Sequence, residues 1–142
     1  MPLYTIGYEG RALDDVLGTL KANRVGLVVD VRALPLSRKR GFSKTAFAQA
    51  LAGAGIAYAH RVALGTPKAM RARYKRDRDF AALAVEFRKY LGNQTHSLLE
   101  LIELVRGKRA CLLCFEADPA LCHRSLVAEA ARKLGGPAAK HL

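Results

Sequence analysis

The chain has 142 residues, of which 51% are hydrophobic and 25% are charged, and its formal net charge is +12. This length suits one domain with a sizeable core, and no apolar run approaches the ~20 residues that a membrane-spanning helix needs. The first residues lack the basic and apolar regions of a secretory signal. The three cysteines are an odd number, which does not suggest a disulfide framework, so we expect reduced thiols and a cytoplasmic protein without membrane contact.

Strands and helices alternate along the predicted chain. Short apolar runs predict strands at 3–6, 26–31, 56–59 and 110–115. Apolar residues at helical spacing predict helices near 13–23, 43–53, 69–76, 79–92, 95–106 and 118–134. Strands that alternate with helices favour a parallel sheet, and a fifth strand could lie in the basic segments. We therefore expect one α/β domain over 1–134, a mainly parallel open sheet with helices on both faces in a Rossmann-like three-layer arrangement, and a frayed tail over 135–142.

Polar residues follow the predicted strands at points that such a sheet brings together. Parallel crossovers are right-handed, so every loop from strand to helix lies at one edge of the sheet, where open α/β sheets bind their ligands. Those loops carry Tyr8 and the ranges 30–37, 60–65 and 116–124. We expect Tyr8, His60 and Cys114 to line this rim, although His60 taken alone would equally suit a structural hydrogen bond.

Short motifs in this order resemble the DUF488 family. They are Thr5-Ile-Gly-Tyr, Val29-Asp-Val-Arg, Gly41-Phe, Gly55-Ile-Ala-Tyr-Ala-His and the run from Leu113 to Arg124. Within that run the pattern Cys-x-Glu-x5-Cys-His-Arg is the most specific, and the resemblance covers roughly residues 3 to 130. It implies an α/β domain whose activity is not established. The residues themselves must therefore indicate the chemistry.

The segment 110–128 concentrates reactive side chains, which are Cys114, Glu116, Cys122, His123 and Arg124. Asp118 and Pro119 suit the N-cap and the first position of the following helix, which places residues 122–124 in its first turn. Free N–H groups and the helix dipole favour an anion there, and the Arg124 guanidinium would bind it in a bidentate manner. The same dipole would lower the pKa of Cys122 and make it a nucleophile. Alternatively, Arg124 pairs with Asp118 or Glu116 and only supports the structure.

A second group of candidate residues follows the valine-rich strand. Asp30 and Arg32 are separated by one residue, so they project to the same side of the sheet. Asp30 would then act as a general base, with Arg32 and Ser37 holding a phosphate. Alternatively, Asp30 forms an ion pair with Arg32 or Arg124 that only makes the rim rigid. The candidate catalytic residues are Asp30, Glu116, Cys122 and His123, and the candidate anion-binding residues are Arg32, Ser37 and Arg124.

Thiol, imidazole and carboxylate groups are zinc ligands, but their spacing here disfavours a metal site. Cys111 and Cys114 lie three residues apart in one strand, so their thiols point to opposite faces of the sheet. Cys122 and His123 are adjacent and, on a helix, would project about 100° apart. No G-x-G-x-x-G or other cofactor motif occurs. We therefore predict neither a metal nor a cofactor.

Two basic segments hold most of the net charge. Five Lys or Arg and no acid lie between 32 and 44, and seven Lys or Arg with one acid lie between 61 and 78. Such segments are either a solvated face or the electrostatic footprint of a polyanion. Aromatic residues among them, such as Phe42 and Tyr74, would stack on bases in the second case. The candidate nucleic-acid-binding residues are Arg38, Lys39, Arg40, Arg71, Arg73, Lys75 and Arg76.

Three functions remain open at this point. The first is an enzyme that binds a phosphate-bearing small molecule or nucleic acid at the rim of the sheet and catalyses hydrolysis or group transfer. The second is a non-catalytic module whose basic segments bind the nucleic acid backbone. The third is a thiol-based redox sensor that uses Cys114 and Cys122.

Overall fold

A computed structural model describes all 142 residues and contains a single five-stranded sheet. The strands are β1 (Leu3–Gly7), β2 (Leu27–Asp30), β3 (Ala57–His60), β4 (Ala110–Cys114) and β5 (Ala139–His141). They are ordered β3-β2-β4-β1-β5, and every neighbouring pair is parallel. The prediction of a parallel α/β sheet is confirmed.

Helices cover both faces of this sheet, as the alternating pattern predicts. They are α1 (Leu13–Ala22), α2 (Lys44–Gly53), α3 (Lys68–Asp77), α4 (Phe80–Gly92), α5 (Thr95–Val105) and α6 (His123–Lys133). Buried residues of α1 and α2 pack with Val28 and Cys111 in one apolar cluster, whereas those of α4, α5 and α6 pack with Val29 and Cys114 in the other. Neighbouring strand residues therefore face opposite layers. None of the helices combines the length and the apolar composition that a membrane span requires.

The position of β4 creates a crevice at the carboxyl end of the sheet. This strand lies between β1 and β2, whose crossover helices α1 and α2 cover one face, whereas its own helix α6 covers the other face. The loops that follow adjacent strands thus leave in opposite directions, which is the arrangement at which open α/β sheets bind ligands. The pairing of Gly7 with Cys114 and of Asp30 with Leu113 aligns the three strand ends.

The C-terminal segment differs from the predicted frayed tail. Residues 139–141 form β5, which pairs with β1 through Leu3, Tyr4 and Thr5. Thr5 also hydrogen-bonds the His141 ring at 2.5 Å, and the Leu142 amide donates to the Thr5 carbonyl at 2.8 Å. The prediction was wrong because three residues, one of them lysine, carry no apolar pattern. Their pairing depends on the exposed edge of β1 rather than on their own sequence.

Helix α6 begins later than the sequence predicts. Asp118 does act as a cap, but its side chain accepts from the Ala120 amide at 2.9 Å and caps a separate 3-10 turn over Pro119–Leu121. Cys122 is then extended, with φ −130° and ψ 138°, and the helix starts at His123. Cys122 is therefore the residue before the helix, not part of its first turn.

Candidate functional site

A pocket of about 510 Å³ occupies the crevice at the carboxyl end of the sheet. All four loops that follow β1 to β4 contribute to it, as the predicted topology requires. A second hollow of about 540 Å³ lies at the opposite end of the sheet, but no cysteine, histidine or carboxylate lines it. The predicted site residues that line the first pocket are Tyr8, Arg32, Ser37, Arg38, Arg71, Lys75, Cys114, Glu116 and His123.

Asp30 does not line the pocket, and each of its carboxylate oxygens accepts two hydrogen bonds. Its Oδ1 accepts from the amide and Nε of Arg32 at 3.0 and 2.9 Å, and its Oδ2 accepts from Arg32 Nη2 at 2.7 Å and the Tyr58 hydroxyl at 2.6 Å. The side chain is fully buried. This geometry matches the buried ion pair that the sequence left open as the alternative to a general base.

Arg32 connects this ion pair to the pocket wall. Its Nη1 donates to the Tyr8 hydroxyl at 3.1 Å and to the Phe42 carbonyl at 2.6 Å. Burial by itself would lower the pKa of Arg32, but the hydrogen bonds and charge of Asp30 outweigh it and raise the pKa above its ordinary value. Burial and the bond to Asp30 likewise raise the pKa of Tyr58. Arg32 therefore stays charged, with its fork held in one orientation.

Arg124 faces away from the pocket, although the sequence assigns it to anion binding. Its guanidinium is fully buried and donates to Thr5 Oγ1 at 3.1 Å, the Glu116 carbonyl at 2.5 Å and the Ala117 carbonyl at 3.3 Å. It satisfies backbone oxygens that would otherwise be buried without a partner. Arg124 thus holds the loop after β4, but through carbonyl groups rather than through a carboxylate.

Two histidines fix the loop that follows β2. Nε2 of His60 donates to the Arg32 carbonyl at 2.7 Å, and Nε2 of His123 donates to the Val31 carbonyl at 2.7 Å. A carbonyl can only accept, so each ring carries its proton on Nε2. His60 does not line the pocket, which matches the structural alternative for this residue. His123 does line it, and its Nδ1 faces the sulfur of Cys114.

Cys114, Glu116, Cys122 and His123 form a cluster at the floor of the pocket. Cys114 Sγ lies 3.3 Å from His123 Nδ1 and 3.2 Å from Glu116 Oε2. The ligand atoms of Cys114, Cys122 and His123 all lie within 4.8 Å of one another. The extended backbone at Cys122 makes this possible. The expectation that Cys122 and His123 project about 100° apart on a helix was therefore wrong.

The electrostatics of the cluster differ from those predicted for the start of a helix. Cys122 is 1% exposed, and burial, followed by the Cys114 sulfur, raises the pKa of its thiol, although His123 acts in the opposite direction. Burial alone would lower the pKa of His123, but the Cys122 sulfur, the Val31 carbonyl and Glu116 raise it. The expectation of a lowered thiol pKa at Cys122 is therefore wrong, because desolvation outweighs the helix dipole.

The basic segments converge on the pocket, but only some of their residues face it. On α3, Arg71, Lys75 and the following Arg78 lie at helical spacing and line the wall, together with Arg38 from the loop after β2. On the other side of α3, Arg73 pairs with Asp77 and Glu86. Three further residues predicted to bind nucleic acid do not line the pocket, namely Lys39, Arg40 and Arg76. Lys39 donates to the Tyr8 carbonyl at 3.2 Å, whereas Arg40 and Arg76 are exposed.

The sequence interpretation missed the apolar part of the wall. Leu34, Leu36, Phe115 and Leu121 are 57%, 68%, 44% and 46% exposed, and all of them line the pocket. Large apolar side chains in loops that already carry charged residues are the signal that could have revealed them. Arg78 also lines the pocket, but the sequence distinguishes it from its basic neighbours only once the position of α3 is known.

Comparison with known protein families gives one match. The family model described as "Domain of unknown function DUF488" matches residues 12–131, which is well over half of the chain. No curated protein and no solved structure matches the chain. The matched residues span α1 to most of α6 and include every predicted site residue except Tyr8. The chain belongs to the DUF488 family.

Proposed function

We propose that the pocket binds a phosphate-bearing ligand, namely a nucleotide or the end of a nucleic acid strand. The observation that carries this proposal is the set of basic side chains on its wall. Arg38, Arg71, Lys75 and Arg78 all line the pocket, and none of them belongs to an ion pair. Glu116, on the floor, is the one carboxylate among the residues that line the pocket. Unpaired cations around one concave site favour a multiply charged anion.

The apolar part of the wall supports a ligand that also has a flat, weakly polar portion. Leu34, Leu36 and Phe115 lie beside the basic groups, and Tyr74 adds an aromatic ring with the Arg78 guanidinium 5.6 Å from its centre. Bases stack on aromatic and guanidinium planes, whereas phosphate requires charge. A nucleotide provides both kinds of surface, which inorganic phosphate alone does not.

The floor of the pocket is where we place the chemistry, as hydrolysis or group transfer. Glu116 takes the acid–base role, because it is the carboxylate that reaches the pocket and only its Oε2 is engaged, by Cys114. His123 and Cys122 complete the cluster beside it. Asp30 takes a supporting role, since both of its oxygens are occupied by Arg32 and Tyr58.

Removing two of the basic side chains from the wall tests the binding proposal. We expect the double variant Arg71→Ala/Lys75→Ala to bind adenosine 5′-monophosphate at least about tenfold more weakly than the parent, because one charge-assisted hydrogen bond is worth about 1.4 kcal/mol or more. Isothermal titration calorimetry measures this, with adenosine as the uncharged comparison ligand. Adenosine binding should be weak in both proteins.

The matched control removes the same charge outside the pocket. Arg40 and Arg76 are exposed, form no ion pair and do not line the wall, so Arg40→Ala/Arg76→Ala should bind the nucleotide about as well as the parent. Equal losses of nucleotide affinity in both double variants would contradict binding in the pocket. They would favour the non-catalytic module that binds the nucleic acid backbone. Helix α3 suits such binding, because none of its residues is buried and its basic side chains are accessible. In that case affinity for a short oligonucleotide should fall steeply with salt.

The acid–base assignment makes a separate prediction. If the bound nucleotide is hydrolysed, Glu116→Gln should reduce the rate by at least about 100-fold, the lower range for a general acid or base, while the dissociation constant stays within about twofold. Chromatographic separation of base, nucleoside and phosphate identifies the bond that is broken. Asp118→Asn, in the same loop but engaged with the Ala120 amide, serves as the control. An unchanged rate in Glu116→Gln would remove this residue from the mechanism.

A further inference from the structure

The geometry points to a metal site formed by Cys114, Cys122 and His123, and we propose that it binds a zinc ion. Each residue offers one ligand atom, and the three atoms lie within 4.8 Å of one another. Zinc–sulfur bonds of about 2.3 Å and zinc–nitrogen bonds of about 2.0 Å place tetrahedral ligands roughly 3.5 Å apart. The Cys114 Sγ to His123 Nδ1 distance of 3.3 Å is already close to this value. Small side-chain adjustments would complete the set.

The His123 ring has the orientation that metal-binding histidines have. Its Nε2–H donates to the Val31 carbonyl at 2.7 Å, so in the neutral ring the lone pair is on Nδ1, which faces the sulfurs. Metal-ligating imidazoles generally donate their other N–H to a carbonyl or carboxylate, which fixes the tautomer. Val31 comes from the loop after β2, whereas the three ligands come from β4 and the start of α6. The ring is thus held from outside the cluster.

The composition of the cluster also suits a cation. Two buried thiols, 2% and 1% exposed, share a small space with an imidazole, and the Glu116 carboxylate lies 3.2 Å from Cys114 Sγ. Cys111 shows what a packing cysteine looks like on the same strand, since it is fully buried in the opposite apolar cluster, apart from the other two thiols. Zinc would displace the protons of the two thiols, and the bound ion would then offset the charge of the thiolates and of the Glu116 carboxylate. Thiolate and imidazole ligands in a tetrahedral set favour zinc among common divalent ions.

The site would have three protein ligands and one open position. Cys114 and His123 line the pocket, as does Glu116, whereas Cys122 lies behind them. The ion would therefore sit between the core and the pocket floor, with its fourth position directed into the pocket. Zinc sites with three protein ligands and an open position are typical of catalysis, whereas structural sites are closed by four. This inference does not depend on the nature of the phosphate-bearing ligand.

Cobalt substitution of the reduced full-length protein tests the proposal. We expect one Co²⁺ per chain, with thiolate-to-cobalt charge-transfer absorption that Zn²⁺ abolishes by displacement. Cys114→Ser and Cys122→Ser should weaken Zn²⁺ binding by more than about 100-fold, because changes to groups that merely support the ligands already cost about 10- to 100-fold. Cys111→Ser, on the opposite face of the strand, should bind both metals like the parent.

A second measurement needs no variant and so does not depend on whether the variants fold. Zn²⁺ should slow alkylation of Cys114 and Cys122 in the parent protein, as located by mass spectrometry of its peptides. The proposal is overturned if the reduced parent shows no cobalt–thiolate band, or if Cys114→Ser and Cys122→Ser keep the parent affinity. Rapid formation of a Cys114–Cys122 disulfide without protection by Zn²⁺ would also overturn it and favour the redox sensor. Nucleotide binding at the basic wall is measured separately, so failure of the zinc proposal would leave the binding proposal unchanged.

Discussion

Replacing Asp30 by Asn is expected to lower the free energy of unfolding by about 3–5 kcal/mol, the range observed when one partner of a buried ion pair is removed. The Arg32 guanidinium would remain buried, with 6% of its side chain exposed, and would lose its counter-charge. The amide retains only part of the hydrogen-bonding capacity, because one of its two positions donates instead of accepting. Urea denaturation of the parent and the variant measures the difference.

The control for this prediction is an exposed ion pair. Glu129 pairs with Arg88 at 3.2 Å, with 43% and 52% of the two side chains exposed, so Glu129→Gln should change the stability by less than about 1 kcal/mol. A variant Asp30→Asn that is as stable as the parent but has lost the ability to catalyse a reaction would contradict our view. It would restore the interpretation of Asp30 as a general base.

The second large effect is expected at Gly7, the last residue of β1. A Cβ added there would overlap the Glu116 carbonyl oxygen and lie 2.9 Å from Arg124 Nη1. Both obstacles are fixed, since Arg124 is fully buried and bonded to that same carbonyl. We expect Gly7→Ala to destabilise the fold by about 3 kcal/mol, the upper part of the range for overpacking. Thermal and urea unfolding measure this effect.

Gly18 provides a glycine without such a neighbour. It lies in α1, and apart from its chain neighbours and the backbone of the helix itself no atom comes within 4 Å of the position that a Cβ would take there. Gly18→Ala should therefore be neutral or stabilise the protein by up to about 1 kcal/mol through helix propensity. If Gly7→Ala were tolerated equally well, the loop after β4 would have to move easily. The positions of Glu116 and the metal ligands would then be less fixed than we infer.

Most of the fold could be predicted because the information is local. The run Leu27–Asp30 is apolar enough to be a buried strand, and Asp79 caps α4 by accepting from the Ala82 amide, as its type suggests. Strand β5 could not be predicted, since Lys140 and His141 pair with β1 only after the rest of the sheet exists. The start of α6 was misplaced because Asp118 is an equally good cap for a short 3-10 turn.

The site was predictable as a location but less so in its detailed contacts. Topology alone brings Tyr8, Arg32 and His123 to one pocket. The direction of a side chain could not be predicted in the same way. Arg124 turns inward to carbonyl groups rather than outward to an anion, because those backbone groups need hydrogen-bond partners after folding. The convergence of Cys122 with Cys114 depends on one extended residue before α6, which the sequence pattern does not reveal.

The two edge strands of the sheet, β3 and β5, are poorly suited to pairing with a strand of another molecule. β3 has four residues and is followed by Arg61, and β5 has three residues with Lys140 at its centre. Aggregation by strand addition needs a long, flat and apolar edge, and short edges that carry charge oppose it. The cationic surface adds repulsion between copies. Concentrated solutions of this protein should therefore resist fibril formation, even though its sheet is open at both edges.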